Sequence, residues 1–293
     1  MREMIIVLMF VMAMSPASAH GTDAHSDGAT WTFDPWIVAP LAIMAIAYGM
    51  GSVKMVRRVA HGNGAFASRL GFFISGWATL AAALTSPLHW LGEHLFTFHM
   101  IEHEVIIAVS APLLALSRPV STFVWALPRR GRHIAGAAMK SAAMRRIWDW
   151  STRGLNATLL HGVAIWAWHL PWLFDASVTD ISLHRLQHLS FLITALLFWW
   201  SIFWRCSHGA AAWHLLVTML HTGILGALMA LAPRVLYLAQ TADARAWGLT
   251  PLEDQQLAGM LMWVPAGTVY AGAALIMLAL WIKASGSRDL SHV

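Results

Sequence analysis

HMIEHEVIIAVSAPLLALSRP, residues 99–119, opens on two histidines and two glutamates, runs uncharged through Val105–Ser117, and stops at Arg118-Pro119. An apolar stretch of about twenty residues is long enough to cross the ~30 Å hydrocarbon core of a bilayer as a helix. Its polar opening is the unusual part, because ionisable side chains within a span are costly and face a bundle interior or a cavity. Working outward, six further apolar runs flank it: Pro35–Val53, Ala65–Thr85, Asn156–Phe174, Leu183–Phe203, Trp213–Ala232 and Leu257–Ile282. With Leu95–Leu116 they predict an all-α integral membrane protein, a bundle of seven transmembrane helices over residues 35–283. Short alternating segments of the kind that build a membrane barrel are missing from the pattern.

Composition agrees. Of the 293 residues, 58% are hydrophobic and only 11% charged, where a soluble domain carries about 25% charged residues. The pI near 10.0 does not indicate a nucleic-acid partner, because the basic residues gather in loops between the apolar runs. Lys54, Arg57, Arg58 and Arg69 lie between the first two runs, eight more basic residues from Arg118 to Arg153 follow the third, and Arg205, Lys283 and Arg288 follow the fifth and seventh. The opposite side holds Arg185, Arg234 and Arg245. By the positive-inside rule the richer side is cytoplasmic. The chain is then a multi-pass protein of the bacterial inner membrane with a periplasmic mature N-terminus and a cytoplasmic C-terminus.

The first nineteen residues, MREMIIVLMFVMAMSPASA, have a basic start, an apolar core and an Ala17-Ser18-Ala19 end, the form of a cleavable signal peptide. Cleavage leaves His20 at the head of a flexible periplasmic tail, 20–34, and residues 284–293 form a cytoplasmic tail. The long basic loop after the third run is expected to hold a short amphipathic helix near Ala137–Trp150, lying on the membrane surface.

The chemistry gathers at the periplasmic ends. The third run opens His99-Met100-Ile101-Glu102-His103 and the fifth opens His184-Arg185-Leu186-Gln187-His188. In each, positions i, i+3 and i+4 share one helical face, and two imidazoles at i and i+4 can hold one metal ion. Sixteen histidines give roughly one such pair by chance at same-face spacing. The weight therefore comes from the shared depth, direction and middle residue. His169, near the periplasmic end of the fourth run, can join the layer, and His89 and His94 stand in the short loop before the third. Neutral imidazole suits copper, zinc, iron or nickel, and thioethers lean toward Cu(I); Met100 is near the site, and the seventh helix brings Met260 and Met262 within its first turns. Glu102 is either a counter-charge to a cation or the acceptor that fixes a histidine tautomer. The acids and amides of Glu253–Gln256 can cap the seventh helix, and His161, His214 and His221, deeper in the bundle, are expected to be bonded structurally. The single Cys206 permits neither an intrachain disulfide nor a Cys pair for metal.

Several of these stretches, HMIEHEVIIAVSAPLLALSRP (99–119), WAWHLPWLFD (166–175), HRLQHLSFLITALLFWW (184–200) and QQLAGMLMWVPAG (255–267), resemble the multi-spanning CtaG family of cytochrome c oxidase assembly factors, as does WTFDPWIVAPL (31–41) with Tyr48. The resemblance implies a seven-helix membrane protein that serves the maturation of haem–copper oxidase by handling copper. Carried over by motif, the metal residues are His99, His103, His169, His184 and His188. Glu102 stands where the family commonly has an amide. The implied partners are oxidase subunits and periplasmic copper chaperones. No phosphate loop or hydrolase pattern accompanies these motifs, so an enzyme is not expected. A haem-binding redox protein and a metal transporter are the competing readings.

Overall fold

The computed structural model describes residues 30–57 and 64–289, with side chains up to 285. The expected signal peptide and His20 lie outside the described residues. Throughout the described residues the chain is helical, and no strand occurs among them.

Helix α1 (Pro35–Val56) starts where Asp34 accepts a hydrogen bond from the Trp36 amide at 2.9 Å, with Pro35 at the first helical position. Helix α2 (Gly64–Thr85) returns across the bundle. The short α3 (Pro87–His94), capped by Ser86, then folds back over the end of the bundle. The next span, α4, runs Phe96–Ser117. It widens into a π turn over Val105–Ser110, just before Pro112. A proline has no N–H to bond the preceding turn and its ring crowds that turn's carbonyl, and a wide turn relieves both effects. The Trp199 indole donates to the Ile107 carbonyl at 2.9 Å inside this turn. At the far end, Arg118 takes left-handed backbone angles (φ 49°) and stacks its guanidinium 3.3 Å above the Trp204 ring.

Helices α5 (Pro119–Ala126), α6 (Arg129–Lys140) and α7 (Ala142–Ser151) make the basic connection. The single amphipathic helix expected near Ala137–Trp150 is instead two, parted at Ser141, whose hydroxyl caps the second through the Met144 amide. Helix α8 (Gly154–Trp168) ends earlier than its apolar run suggested, and α9 (Pro171–Thr179) follows it. The break is chemical: Pro171 drives Leu170 into an extended conformation. At 1.5 Å per residue α8 is about 22 Å long, so Asn156–Phe174 is not one continuous span. Six helices among the described residues are long and apolar enough to cross a membrane. Besides α1, α2 and α4 these are α10 (Ile181–Trp204), α11 (His208–Ala230) and α12, which extends helically over Pro251–Asp289. Helix α12 thus reaches six residues beyond the 283 boundary expected for the bundle. Its start is a reciprocal capping box, with Thr250 and Glu253 each bonding the other's amide.

Helix α4 is the axis of the assembly. Of an 18-residue window in it, 61% is buried, against 22% in α1 and in α2. One core joins it to α1 and α2 through Leu41, Tyr48, Phe73, Leu80, Ile106 and Leu114. A larger core joins it to α8, α10, α11 and α12. Helices α11 and α12 cross with their backbones nearly touching: a Cβ added at Gly259 would lie 2.7 Å from the Gly226 carbonyl. Small residues at such crossings permit this approach.

Candidate metal centre

Both histidine pairs stand on the first turns of parallel helices. His99 and His103 lie about 5 and 10 Å along α4, and His184 and His188 lie at about the same distances along α10, taking 1.5 Å per residue. Local capping sets the two starts differently. Asp180 caps α10 through the amides of Ser182 and Leu183 at 2.7 and 3.1 Å. Helix α4 has no side-chain cap of its own. Asp254, from the first turn of α12, supplies one by accepting from the amides of Phe96 and Thr97 at 2.8 and 2.9 Å. Asp254 is fully buried, so it staples α12 to the helix that carries His99.

With these starts fixed, the imidazoles converge. One ring nitrogen from each of His99, His103 and His188 lies within 4.8 Å of the others, and all three residues are buried. Ring centres are 4.2 Å apart for His99–His103 and 4.9 Å for His103–His188. Nitrogens bound to one ion at 2.0–2.1 Å stand at most about 4.2 Å from each other, so small ring rotations close the set. His184 is the neighbouring fourth ring, 4.5 Å from His188 and 5.5 Å from His99. His99 Nε2, His184 Nε2 and both nitrogens of His103 and of His188 are buried without a hydrogen-bond partner. A buried polar atom left unpaired costs about 1–3 kcal/mol. Five of these six nitrogens belong to the three converging rings, and imidazoles with unmet bonding capacity are able to ligate a cation.

The carboxylate and the loops around the cluster set its orientation. Glu102 is fully buried. Its Oε1 bonds His89 Nδ1 at 2.8 Å and lies 3.7 Å from His188 Nδ1. His89 sits on α3, outside the spans. Burial pulls its pKa down, but the Glu102 hydrogen bond and the charges of Glu102, Glu93 and Asp34 outweigh this and leave it above the usual histidine value. His89 therefore makes a cationic partner for Glu102. Gly92 makes room for this contact, since a Cβ there would lie 3.1 Å from Glu102 Oε2 and 3.3 Å from the His99 backbone. The Gly92 carbonyl accepts from Gln240 Nε2 at 2.8 Å, which ties the loop over residues 231–250 across the histidine end.

His169 is placed differently. Its Nδ1 is bonded to the Ile165 carbonyl at 2.7 Å, its Nε2 is unpaired, and it faces a cavity on the far side of His103. It is not among the three converging nitrogens. His89 was recognised in sequence only as a loop residue; the carboxylate two turns into the next span was the available clue. The acids and amides of Glu253–Gln256 are structural. Glu253 caps its own helix, Asp254 caps α4, and Gln255 bonds the Met229 and Arg234 carbonyls and the Leu236 amide. Met260 is 48% exposed and faces away, whereas Met262 is buried. The deeper histidines are bonded as expected: His214 to Thr158 at 3.1 Å, His161 to Thr194 and Tyr270, and His221 to the Trp166 indole.

The family model for the cytochrome c oxidase caa3 assembly factor matches residues 46–284, and this match takes in both histidine pairs. The chain belongs to the Caa3_CtaG family. Among similar proteins are two uncharacterized mycobacterial ones. Mb0105 of Mycobacterium bovis is 27% identical over 175 residues, covering 59% of this chain and 26% of that protein. ML1998 of Mycobacterium leprae is 28% identical over 179 residues, covering 59% and 26%. The chain thus spans about a quarter of the length of the curated relatives it matches. No solved structure matches it. For a Caa3_CtaG protein, the buried imidazole cluster is the feature with the most evident chemistry.

Proposed function

We propose that this protein serves the assembly of haem–copper cytochrome c oxidase by binding copper on His99, His103 and His188 and passing it to an oxidase subunit. The observation that carries the reading is the convergence of three buried imidazoles from two helices, five of whose six ring nitrogens have no hydrogen-bond partner. Neutral imidazole is a good ligand for copper in either oxidation state. His184 is the fourth donor within reach. Glu102, bonded to His89, lies 3.7 Å from His188 Nδ1 and stands beside the cluster as outer-shell carboxylates do at metal sites. Helices α8 and α9 together complete a seventh crossing. The basic loops support a cytoplasmic position for their side, and in this reading the histidine end lies at the periplasmic face of the inner membrane, within reach of copper chaperones. The role is one of delivery, and no catalytic step is assigned to the chain.

A single ion fits the geometry better than a haem does. The cavity beside His103 is about 10 Å³, far below the several hundred Å³ of an ordinary cofactor pocket. The test has two arms. Purified protein should carry about one copper at this site, lost in a His99→Ala/His103→Ala variant. An oxidase isolated from a deletion strain should be copper-deficient; full copper content there defeats the proposal. A Soret band in the purified protein after haem addition would favour the haem reading instead, and copper uptake by proteoliposomes would favour a transporter.

A further inference from the structure

Behind the cluster lies a second, smaller enclosure. It is lined by Met100, His103, Glu104, His169, Met262 and Tyr270, with Ile107, Ile165, Phe191 and Thr222 completing the wall. Three buried polar groups on this wall lack partners: His169 Nε2, Glu104 Oε2 and both nitrogens of His103. On the other side of Glu104 is a groove of about 260 Å³ lined by Ile101, Val105, Ala108, Val109, Leu261, Pro265, Ala266 and Val269. That groove is apolar, so partners for the carboxylate have to come from the enclosure. Met100 and Met262 are almost wholly buried, and each brings a thioether to it.

We propose that this enclosure is a second metal position, selective for a soft monovalent cation, with His169, Met262 and Met100 as ligands, Glu104 as counter-charge and His103 shared with the outer cluster. Three features of the wall support it. The donor set of imidazole and thioether is the one that selects Cu(I) over harder ions. The charge balances, since one carboxylate neutralises a monovalent cation, whereas a divalent ion would leave a net charge about 12 Å into the span, where an uncompensated charge is costly. The size fits as well. About 10 Å³ admits one water or one dehydrated ion, and it excludes a cation with its hydration shell. His103 has two free nitrogens, one for each position, so an ion can move inward by exchanging ligands around a single imidazole. The proposal rests on the outer cluster being a metal site, but it names different residues and a different ion selectivity.

Anaerobic titration of the full-length purified protein with Cu(I), in competition with a chromogenic chelator, tests it, together with X-ray absorption at the copper edge. Wild type is expected to bind two equivalents of Cu(I) and one of Zn(II). His188→Ala should retain one Cu(I) with sulfur in its first shell. Met100→Leu/Met262→Leu keeps the side-chain volume and so the fold, which thermal unfolding will check. It should lose the sulfur signal and weaken the second equivalent at least about tenfold while leaving the first unchanged. A single Cu(I) equivalent, abolished by His188→Ala and free of sulfur, would mean that the enclosure holds water; the outer site would stand and this proposal would fall. A protein that binds no copper at all would overturn both.

Discussion

Two groups of histidines lie along the helices of this bundle, and their bonding differs. His161, His214 and His221, midway along α8 and α11, each meet a hydroxyl or an indole within 3.5 Å. His99, His103, His184 and His188, at one end of α4 and α10, meet one another, and six of their nitrogens bond nothing. His161 is fully buried, whereas His214 and His221 are only partly so. A histidine that only fills space and bonds across helices finds a partner, as the deeper group does. The four clustered rings lie beside the Glu102–His89 pair and keep six nitrogens without partners. The groups differ in degree: the clustered rings have six buried nitrogens without partners, the deeper ones have one, His221 Nε2.

This contrast can be broken most directly at the cluster. Replacing His103 or His188 by Ala should weaken copper binding at the outer cluster by more than about 100-fold, beyond what outer-shell changes cause, as read by chelator competition. His214→Ala should leave copper affinity unchanged. Equal effects at the two positions would erase the distinction. Next in size, Glu102→Gln should weaken copper binding by about 10–100-fold without removing a ligand; a variant that binds as tightly as wild type would show that the carboxylate plays no part at the ion.

Smaller effects sharpen the comparison through stability. Asp254→Ala removes the cap from α4 and leaves two buried amides unpaired, which should cost about 1–3 kcal/mol. A denaturation midpoint in mild detergent will show it, and copper binding should weaken in parallel because α4 carries His99 and His103. By contrast, Thr158→Val, which removes the partner of His214, should cost about 1 kcal/mol and leave copper binding untouched. The smallest effect concerns pH. His89 has a raised pKa in the folded protein, so its pair with Glu102 contributes stability that is fully present below the ordinary histidine value of about 6.5. That contribution is lost as pH rises through the raised folded-state value. The stability difference between metal-free wild type and His89→Gln should therefore shrink as pH rises from below about 6.5 through the raised folded-state value; a constant difference would show that the pair is not ionised.

Much of this was legible in the residues, and the exceptions have specific causes. The polar opening of 99–119 and its echo at 184–188 placed four imidazoles at one depth, because an i,i+4 spacing fixes a shared face wherever the helix goes. His169 shared the depth but not the cluster. Pro171 breaks the helix beside it, and the His169 imidazole lines the enclosure next to His103. The same proline explains why the fourth apolar run is two helices. His89 was read as a loop residue because nothing local connects it to Glu102; the link is made by α3 folding back over α4. Asp254 looked like a cap for its own helix and instead serves another, which the α12–α4 contact decides.

By itself, the sequence determined that the chain crosses a membrane as helices, since uncharged runs of this length have no other stable arrangement in lipid. It also determined which histidines share a helical face, since that follows from 3.6 residues per turn. Only the tertiary structure decided which faces meet. Convergence of α4 with α10, the return of α3, and the division of the histidines between an outer cluster and an inner enclosure all depend on packing between segments far apart in the chain. Local pattern carries no information about that distance, and the physical consequence, unpaired nitrogens within reach of one ion, exists only once the helices are side by side.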